Sequence, residues 1–229
     1  QNTSSLISIN IPSSVTSIGV GAFTGAESLT SVDVDGDNTE YTSVDGVLFD
    51  KQLLLLIKYP EGKPDTSYTI PNTVTSIGSR AFYGATSLTS ITIPASVTSI
   101  GTGAFSGVAS LTLVDVDVDN TEYASVDGVL FDKQQLLLIK YPEDKSDTSY
   151  TIPNTVTSIG DDAFSGVKIL TSIDIPDGVS IIGDRAFRSA GSLTSITIPD
   201  GVAAIGVGVF ANTPNLTTVT IPNSVTRIG

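Results

Sequence analysis

The residues of this chain with the clearest potential for chemistry are two runs of alternating aspartates. Oxygen donors at alternate positions resemble the opening of a calcium-binding loop. Like charges on one strand face would also be relieved by a cation. We therefore consider a Ca²⁺ site at each run, the alternative being a solvated strand end that leads into an Asx turn at Asn38. An EF-hand is excluded, because Val44 or Val126 stands where its bidentate glutamate would be. The six candidate ligands are Asp33, Asp35, Asp37, Asp115, Asp117 and Asp119.

Catalytic chemistry is limited by two missing residue types. The chain has no histidine and no cysteine, which rules out Ser-His-Asp and Cys-His nucleophile systems and the usual zinc ligand sets. The neighbouring carboxylates Asp161 and Asp162 come with no apolar pocket in the sequence that would separate their pKa values. Gly-x-Gly pairs such as Gly19 and Gly21 lack the third glycine of a nucleotide-binding loop. We predict that the chain is not an enzyme, has no catalytic residues and needs no cofactor apart from the hypothetical calcium.

The overall charge narrows the range of partners. With 11 basic and 24 acidic residues the formal net charge is -13, so the chain repels nucleic acid and anionic lipid head groups. No apolar stretch approaches the roughly 18 residues that a membrane-spanning helix needs. We predict neither nucleic-acid binding nor membrane insertion.

A repeated Ile-Pro dipeptide organises the whole chain. Successive prolines of this dipeptide are separated by either 23 or 59 residues, and 59 is 23 plus 36. A fixed period of this size is typical of solenoids, in which each repeat buries its apolar face against its neighbours. The prolines are Pro12, Pro71, Pro94, Pro153, Pro176, Pro199 and Pro222.

One repeat, residues 88–105, illustrates the local prediction. Two segments alternate apolar and polar residues before each turn signal and are predicted to be short strands. Val97 and Ile100 recur at fixed distances after the proline and form ladders of identical stacked side chains. Gly101 is predicted to mark a corner with positive φ. Phe105 is predicted to fill the interior after a tight turn or brief helix.

The repeat Leu-x-x-Ile-x-Ile-Pro-x-x-Val-Thr-Ser-Ile-Gly-x-x-Ala-Phe resembles the BspA-type leucine-rich repeat over essentially the whole chain. The resemblance implies a right-handed curved solenoid with a parallel sheet on its concave face. It also implies a surface or secreted protein of bacteria or protists that takes part in adhesion. Many such repeats carry cysteine after the phenylalanine, whereas this chain has small residues there.

The predicted fold class is therefore a mainly β repeat solenoid of the leucine-rich-repeat, BspA-like type. We expect short helical turns, two inserted β-hairpins and a single domain over residues 1–229. The chain begins without Met and stops partway through a repeat, so we expect a fragment of a longer protein. Its terminal repeats lack polar caps, so either flanking sequence is missing or the ends associate end to end.

Two long repeats, at residues 29–64 and 111–146, are identical at 30 of 36 positions. In the first we predict a hairpin of Val47–Phe49 with Leu54–Lys58, and in the second one of Val129–Phe131 with Leu136–Lys140. Aromatic and basic residues concentrate there and are candidate partner contacts. The alternative is that the hairpins cover the core and their tyrosines pack inside. The candidates are Tyr41, Lys51, Lys58, Tyr59, Tyr123, Lys133, Lys140 and Tyr141.

These observations favour a non-catalytic recognition or adhesion module at a cell surface or in secreted form. Its partner would be a protein or glycan of a host, a matrix or another cell. One alternative is a structural spacer that displays other domains without a ligand of its own. A second is an ice-binding surface, because hydroxyl residues such as Ser90 and Thr92 recur in regular arrays.

Overall fold

The computed structural model describes residues 5–229, and the described chain folds into short β-strands joined by turns. Each strand is two to four residues long. Such short strands follow from the sequence, because a proline or glycine ends each apolar-polar alternation after a few residues. The strands are β1 Ser8–Ile11, β2 Ser31–Val34, β3 Tyr41–Val44, β4 Val47–Asp50, β5 Leu55–Lys58, β6 Ser67–Thr69, β7 Ser76–Ile77, β8 Ser90–Ile93, β9 Ser99–Ile100, β10 Leu113–Val116, β11 Tyr123–Val126, β12 Val129–Asp132, β13 Leu137–Lys140, β14 Ser149–Thr151, β15 Ser158–Ile159, β16 Ser172–Asp174, β17 Ile181–Ile182, β18 Ser195–Thr197, β19 Ala204–Ile205, β20 Thr218–Thr220 and β21 Arg227–Ile228.

The described chain divides into two compact units, each a stack of β coils. Unit 1 comprises residues 5–110 and 117–122, and unit 2 comprises Leu111–Val116 and Tyr123–Gly229. The predicted β-solenoid class is therefore confirmed in each unit. A single domain over residues 1–229 stays a prediction.

Successive coils of unit 1 pair in parallel. β6 pairs with β8, and Ser67 lies opposite Ser90, so the register equals the 23-residue period. β7 pairs with β9 in the same way, and Ile77 lies opposite Ile100. β7 also continues through β5 and β4 to β3, which makes a five-stranded mixed sheet. Each sequence ladder is thus a column of neighbouring side chains.

Unit 2 repeats this arrangement. A seven-stranded sheet runs in the order β11-β12-β13-β15-β17-β19-β21. On the other side of the coils β14 pairs in parallel with β16, and β18 pairs with β20. The interior is filled by aliphatic ladders, as predicted: Val156, Val179 and Val202 in one column and Ile159, Ile182 and Ile205 in another are all buried.

The predicted short helices after each corner glycine are wrong. The segment around Phe82 is a series of turns, in which Ala81 N bonds Gly78 O at 3.1 Å. Phe82 N instead donates to Ala104 O in the next coil at 2.8 Å. Because the backbone donors are used between coils, they are not available for the i−4 bonds of a helix.

The corner glycines have a different role from the predicted one. None of the glycines seven residues after the prolines has positive φ. At Gly101 an added Cβ would lie 2.3 Å from Ser79 N, and at Gly183 it would lie 2.6 Å from Asp161 N. Glycine is therefore required because the backbone of the preceding coil passes too close for any side chain.

This close approach predicts the effect of Gly101→Ala. The new methyl group must displace the preceding coil, so the free energy of unfolding should fall by about 1–3 kcal/mol in urea denaturation. Gly19→Ala is the matched control, because nothing lies within 4 Å of its added Cβ. The control should change stability by less than about 1 kcal/mol. Equal effects of the two substitutions would contradict the close-packing explanation.

Candidate functional site

Each long repeat forms a three-stranded antiparallel meander. The predicted hairpin is confirmed, since β4 pairs with β5 and Phe49 lies opposite Leu56. The sequence-based prediction omits a further hairpin that precedes it, in which β3 pairs with β4. Its two-residue turn is Asp45-Gly46, with φ of 49° and 76°. Asp-Gly between apolar runs is the strongest short hairpin signal, so the sequence did contain this information.

The first of these turns is held against the coil below it. Val32 N, in β2, donates to Gly46 O at 2.9 Å. In the second long repeat Val114 N donates to Gly128 O at the same distance. The meanders therefore cover the coils instead of projecting as free recognition loops.

Four of the eight predicted contact residues are buried and are unavailable to a partner. Tyr59 and Tyr141 are 0% and 1% exposed, and Lys58 and Lys140 are also buried. Tyr59 stacks on Phe82 with ring centroids 5.6 Å apart, and Phe82 stacks on Phe105 at 5.5 Å. In unit 2 Tyr141 begins the equivalent stack. The two tyrosines thus replace phenylalanine in the aromatic spine, so the packing alternative describes them correctly.

The buried lysines form ion pairs beside this spine. Lys58 Nζ lies 3.3 Å from Glu61 Oε1, and Lys140 Nζ lies 3.0 Å from Glu143 Oε1. Lys58 also donates to Tyr83 O in the next coil at 2.7 Å. Burial lowers the pKa of the Lys58 ammonium, and the carboxylate of Glu61 acts in the opposite direction. These charged groups therefore tie coils together.

Buried tyrosines complete the apolar environment. Burial is the main cause that raises the pKa of Tyr59 above its usual value, and the nearby carboxylate of Asp65 adds to it. Burial likewise raises the pKa of Tyr150 to about 12, with smaller contributions from Asp127 and Asp147. These phenols stay neutral at physiological pH and serve packing and hydrogen bonding.

The other four predicted contact residues are accessible to different degrees. Lys51 and Lys133 are exposed on the second turn of each meander, and Tyr41 and Tyr123 are half-buried. The Tyr41 hydroxyl accepts a hydrogen bond from Ile18 N at 3.0 Å, which commits it to the fold. Lys51 Nζ likewise donates to Gly36 O at 3.3 Å. A partner contact at these four residues stays a prediction.

The structure does not bring the predicted calcium ligands together. Asp33 and Asp35 are exposed; Asp33 Oδ1 accepts from the Ser31 hydroxyl and Asp35 Oδ1 accepts from Asp37 N, both at 2.9 Å. Among residues 5–229 no group of three or more acidic side chains is placed to hold a metal ion. Asp33, Asp35 and Asp37, and likewise Asp115, Asp117 and Asp119, are not gathered into such a group, and calcium binding by them stays a prediction. Asp117 Oδ1, like Asp35 Oδ1, accepts from the backbone nitrogen two residues later.

Asn38 is the residue that this loop positions. It is buried, and its side-chain nitrogen donates to Pro12 O at 2.8 Å and to Val15 O at 3.0 Å. Its side-chain oxygen accepts from Glu40 N at 2.9 Å, which is the Asx turn of the alternative interpretation. Asn120 bonds Pro94 O and Val97 O in the same manner. The aspartate runs thus lead into a buried asparagine that joins two coils.

The regularly spaced hydroxyl residues form two kinds of column: a structural column that bonds the neighbouring coil, and an available column whose side chains are exposed and unbonded. The Thr171, Thr194 and Thr217 hydroxyls each donate to the backbone oxygen of the threonine 23 residues earlier. In contrast, the side chains of Thr151, Asp174 and Thr197 are exposed and make no hydrogen bond to the described part of the chain. Asp174 lies opposite Thr151 in the strand ladder and interrupts the regular hydroxyl spacing that an ice-binding face would need.

The available column lines an open depression of about 420 Å³ in unit 2. The depression lies on β14, β16 and β18, so its side chains project from rigid paired strands. Tyr150 contributes a half-buried aromatic ring, and Asp177 adds a second carboxylate. Hydroxyls, carboxylates and one aromatic ring can bind a polar partner by hydrogen bonding and stacking.

Stacked β coils, aliphatic ladders and an aromatic spine define a repeat protein of the leucine-rich-repeat class. The chain belongs to the family described as BspA type leucine rich repeat region, which matches in six copies over residues 1–63, 61–146 and 140–229. This confirms the resemblance inferred from the repeat. A comparison with curated proteins gave no match.

Solved bacterial structures share this fold. A leucine-rich repeat protein from Eubacterium ventriosum is 27% identical, with a TM-score of 0.75 over 99% of this chain and 67% of that one. A leucine rich cell surface protein from Faecalibacterium prausnitzii is 28% identical, with a TM-score of 0.53 over 96% of this chain and 74% of that one. The pneumococcal vaccine antigen PcpA is 23% identical, with a TM-score of 0.58 over 97% of this chain and 56% of that one, and shows the fold alone.

In the described residues no helix is long and apolar enough to cross a membrane.

The structural role of the buried lysine predicts a strong effect of Lys58→Met. The substitution leaves Glu61 charged and unpaired in the interior, so the free energy of unfolding should fall by about 3–5 kcal/mol in chemical denaturation. The double variant Lys58→Met/Glu61→Leu should be more stable than Lys58→Met alone, because no uncompensated charge remains.

Lys168→Met is the matched control for this test. Lys168 pairs with Asp144 at 3.2 Å, but the two side chains are 47% and 36% exposed. Its loss should cost less than about 1 kcal/mol. If Lys58→Met lost as little unfolding free energy as this control, Lys58 would not be a buried structural charge. It would then again be a candidate for contact with a partner.

Proposed function

We propose that this chain is a non-catalytic recognition module of a cell-surface or secreted protein, and that it binds a protein or glycan of a matrix or another cell. The observation that carries the proposal is the depression in unit 2, where exposed hydroxyl and carboxylate groups project from paired strands. Rigid strands hold these groups without the entropy loss that ordering a flexible loop would require. Membership of the BspA-type family and similarity to a protein described as a cell surface protein support the location.

The same chemistry supports a non-catalytic role. The sequence offers no histidine or cysteine, and the carboxylates of the depression lie on an open, solvated surface. Such groups lack the apolar enclosure that surrounds acid–base pairs in enzymes. Polar binding is the function that this arrangement supports best.

A variant that reverses the charge at the centre of the depression tests the proposal. The chain, immobilised on a sensor surface, is exposed to a glycan array and to a panel of extracellular-matrix proteins. We expect saturable binding to at least one of these, and Asp174→Arg should weaken it by about tenfold or more, because one hydrogen-bonding carboxylate is lost and a bulky cation enters.

Glu27→Arg is the control, since it makes the same change of charge at an exposed position of unit 1 outside the depression. It should leave the binding unchanged. Equal loss with both variants would indicate a nonspecific effect of net charge. Failure of the wild-type chain to bind any glycan or matrix protein would favour the structural spacer.

A further inference from the structure

Unit 1 contains an apolar cleft that the function proposed above does not use. The cleft has a volume of about 290 Å³ and lies between the turn at residues 18–24, strand β5 and the turn at residues 78–80. Its apolar lining includes Ile18, Phe23, Leu55 and Ile57, and the Tyr41 ring closes one side. Its volume is just below the range of roughly 300–1,000 Å³ that is typical of small-molecule sites.

The cleft exists because the long repeat interrupts the stacking of coils. In the regular stack Tyr59 N donates to Ala81 O, and Phe82 N donates to Ala104 O, at 2.8 Å each. The equivalent bond from Phe23 N to Lys58 O is not formed among the described residues. β4 pairs with β5 on the side that the preceding coil would otherwise occupy. The turn around Phe23, which belongs to that preceding coil, is therefore separated from β5.

Three charged residues line the cleft, and two of them are already engaged. Lys58 is paired with Glu61. Asp50 Oδ1 accepts hydrogen bonds from Leu54 N and Leu55 N, both at 2.8 Å. Arg80 is exposed and forms no ion pair with the described part of the chain. Its guanidinium carbon lies 6.0 Å from the centre of the Tyr83 ring.

A second arginine at the same repeat position shows what Arg80 lacks. Arg80 and Arg185 both follow the Ile-Pro proline by nine residues and have φ of 58° and 56°. The guanidinium of Arg185 donates two hydrogen bonds to the Asp162 carboxylate, each 3.1 Å long. Asp162 is 23 residues earlier, whereas the residue 23 positions before Arg80 is Ile57. At Arg80 an apolar residue stands where unit 2 supplies a carboxylate.

We propose that this cleft binds a small amphipathic carboxylate. The carboxylate accepts hydrogen bonds from the Arg80 guanidinium, as Asp162 does from Arg185, since arginine forms paired bonds with this group. The apolar part of the ligand, an aromatic ring or a branched alkyl group, contacts Phe23 and Ile57. Its surface is thereby removed from water, which favours binding. Because the chain carries a net charge of -13, the attraction for an anion is local to Arg80.

The test compares two probes, 4-phenylbutyrate and 4-phenylbutylamine. Both carry a phenyl ring on an alkyl chain, but the first ends in a carboxylate and the second in an ammonium group. Calorimetric titration should give a Kd of about 1 mM or tighter for the acid, and binding of the amine should be at least about tenfold weaker. No binding of the acid, or equal binding of the acid and the amine, would overturn the proposal.

Arg80→Gly removes the cation without straining the backbone, because Gly21, Gly103 and Gly208 occupy the same repeat position with positive φ. This variant should bind the acid at least about tenfold more weakly. Val20→Glu places a competing carboxylate on the lining of the cleft, where Val20 is 79% exposed, and should weaken binding as well. Arg188→Ala, which removes an exposed arginine in unit 2, should have no effect. Unchanged affinity in Arg80→Gly would overturn the proposal, whatever the result for Val20→Glu.

A peptide that ends in phenylalanine distinguishes two sources of the same chemistry. If the free-acid peptide binds more tightly than 4-phenylbutyrate and its C-terminal amide does not bind, the natural ligand is a chain terminus. If 4-phenylbutyrate binds more tightly, the natural ligand is a free organic acid. Either result supports the site, and binding of the amide as tightly as the free acid would contradict it.

Discussion

Direct backbone hydrogen bonding between successive coils is the constraint on which the rest of the structure depends. Each coil donates to the next through groups such as Phe82 N and Ala104 O, so neighbouring backbones must run within hydrogen-bond distance. This proximity leaves no unstrained space for a side chain at Gly101. It also uses the backbone donors that a helix would need and places equivalent side chains in columns. The same residue types recur in the sequence because the distance between neighbouring coil backbones is the same at each repeat.

The long repeats keep this constraint while adding a meander. Tyr59 lies 23 residues before Phe82 and takes the place of a phenylalanine in the aromatic stack. The added strands then need partners, which explains the Asp45-Gly46 turn, the buried Asn38 and the Lys58–Glu61 pair. The same insertion separates the turn around Phe23 from its neighbour, so the apolar cleft of unit 1 is a by-product of the added strands. Exposed polar groups lie instead on β14, β16 and β18 of unit 2, outside the long repeat.

Much of this architecture could be predicted from residue spacing. The solenoid class, the aliphatic ladders and one hairpin in each long repeat follow from periods that are visible in the sequence. The 23-residue distance from Tyr59 to Phe82 could also have identified Tyr59 as a spine residue, and packing inside the core was already one of the two interpretations of the hairpin tyrosines. Two features could not be read from spacing. The role of Gly101 depends on where the preceding coil passes, and the burial of Lys58 depends on the meander that covers it.

Chemical denaturation of Tyr59 variants tests whether Tyr59 takes the place of a phenylalanine in the aromatic spine and so continues the stacking of coils through the long repeat. Tyr59→Phe should lose no more than about 1 kcal/mol of unfolding free energy, since it keeps the stack on Phe82 and removes only the bond of 3.2 Å to Asp65. Tyr59→Ala should lose about 3–5 kcal/mol, because it leaves a cavity in the spine. A Tyr59→Ala variant as stable as the wild type would show that Tyr59 is not a packed member of the aromatic spine.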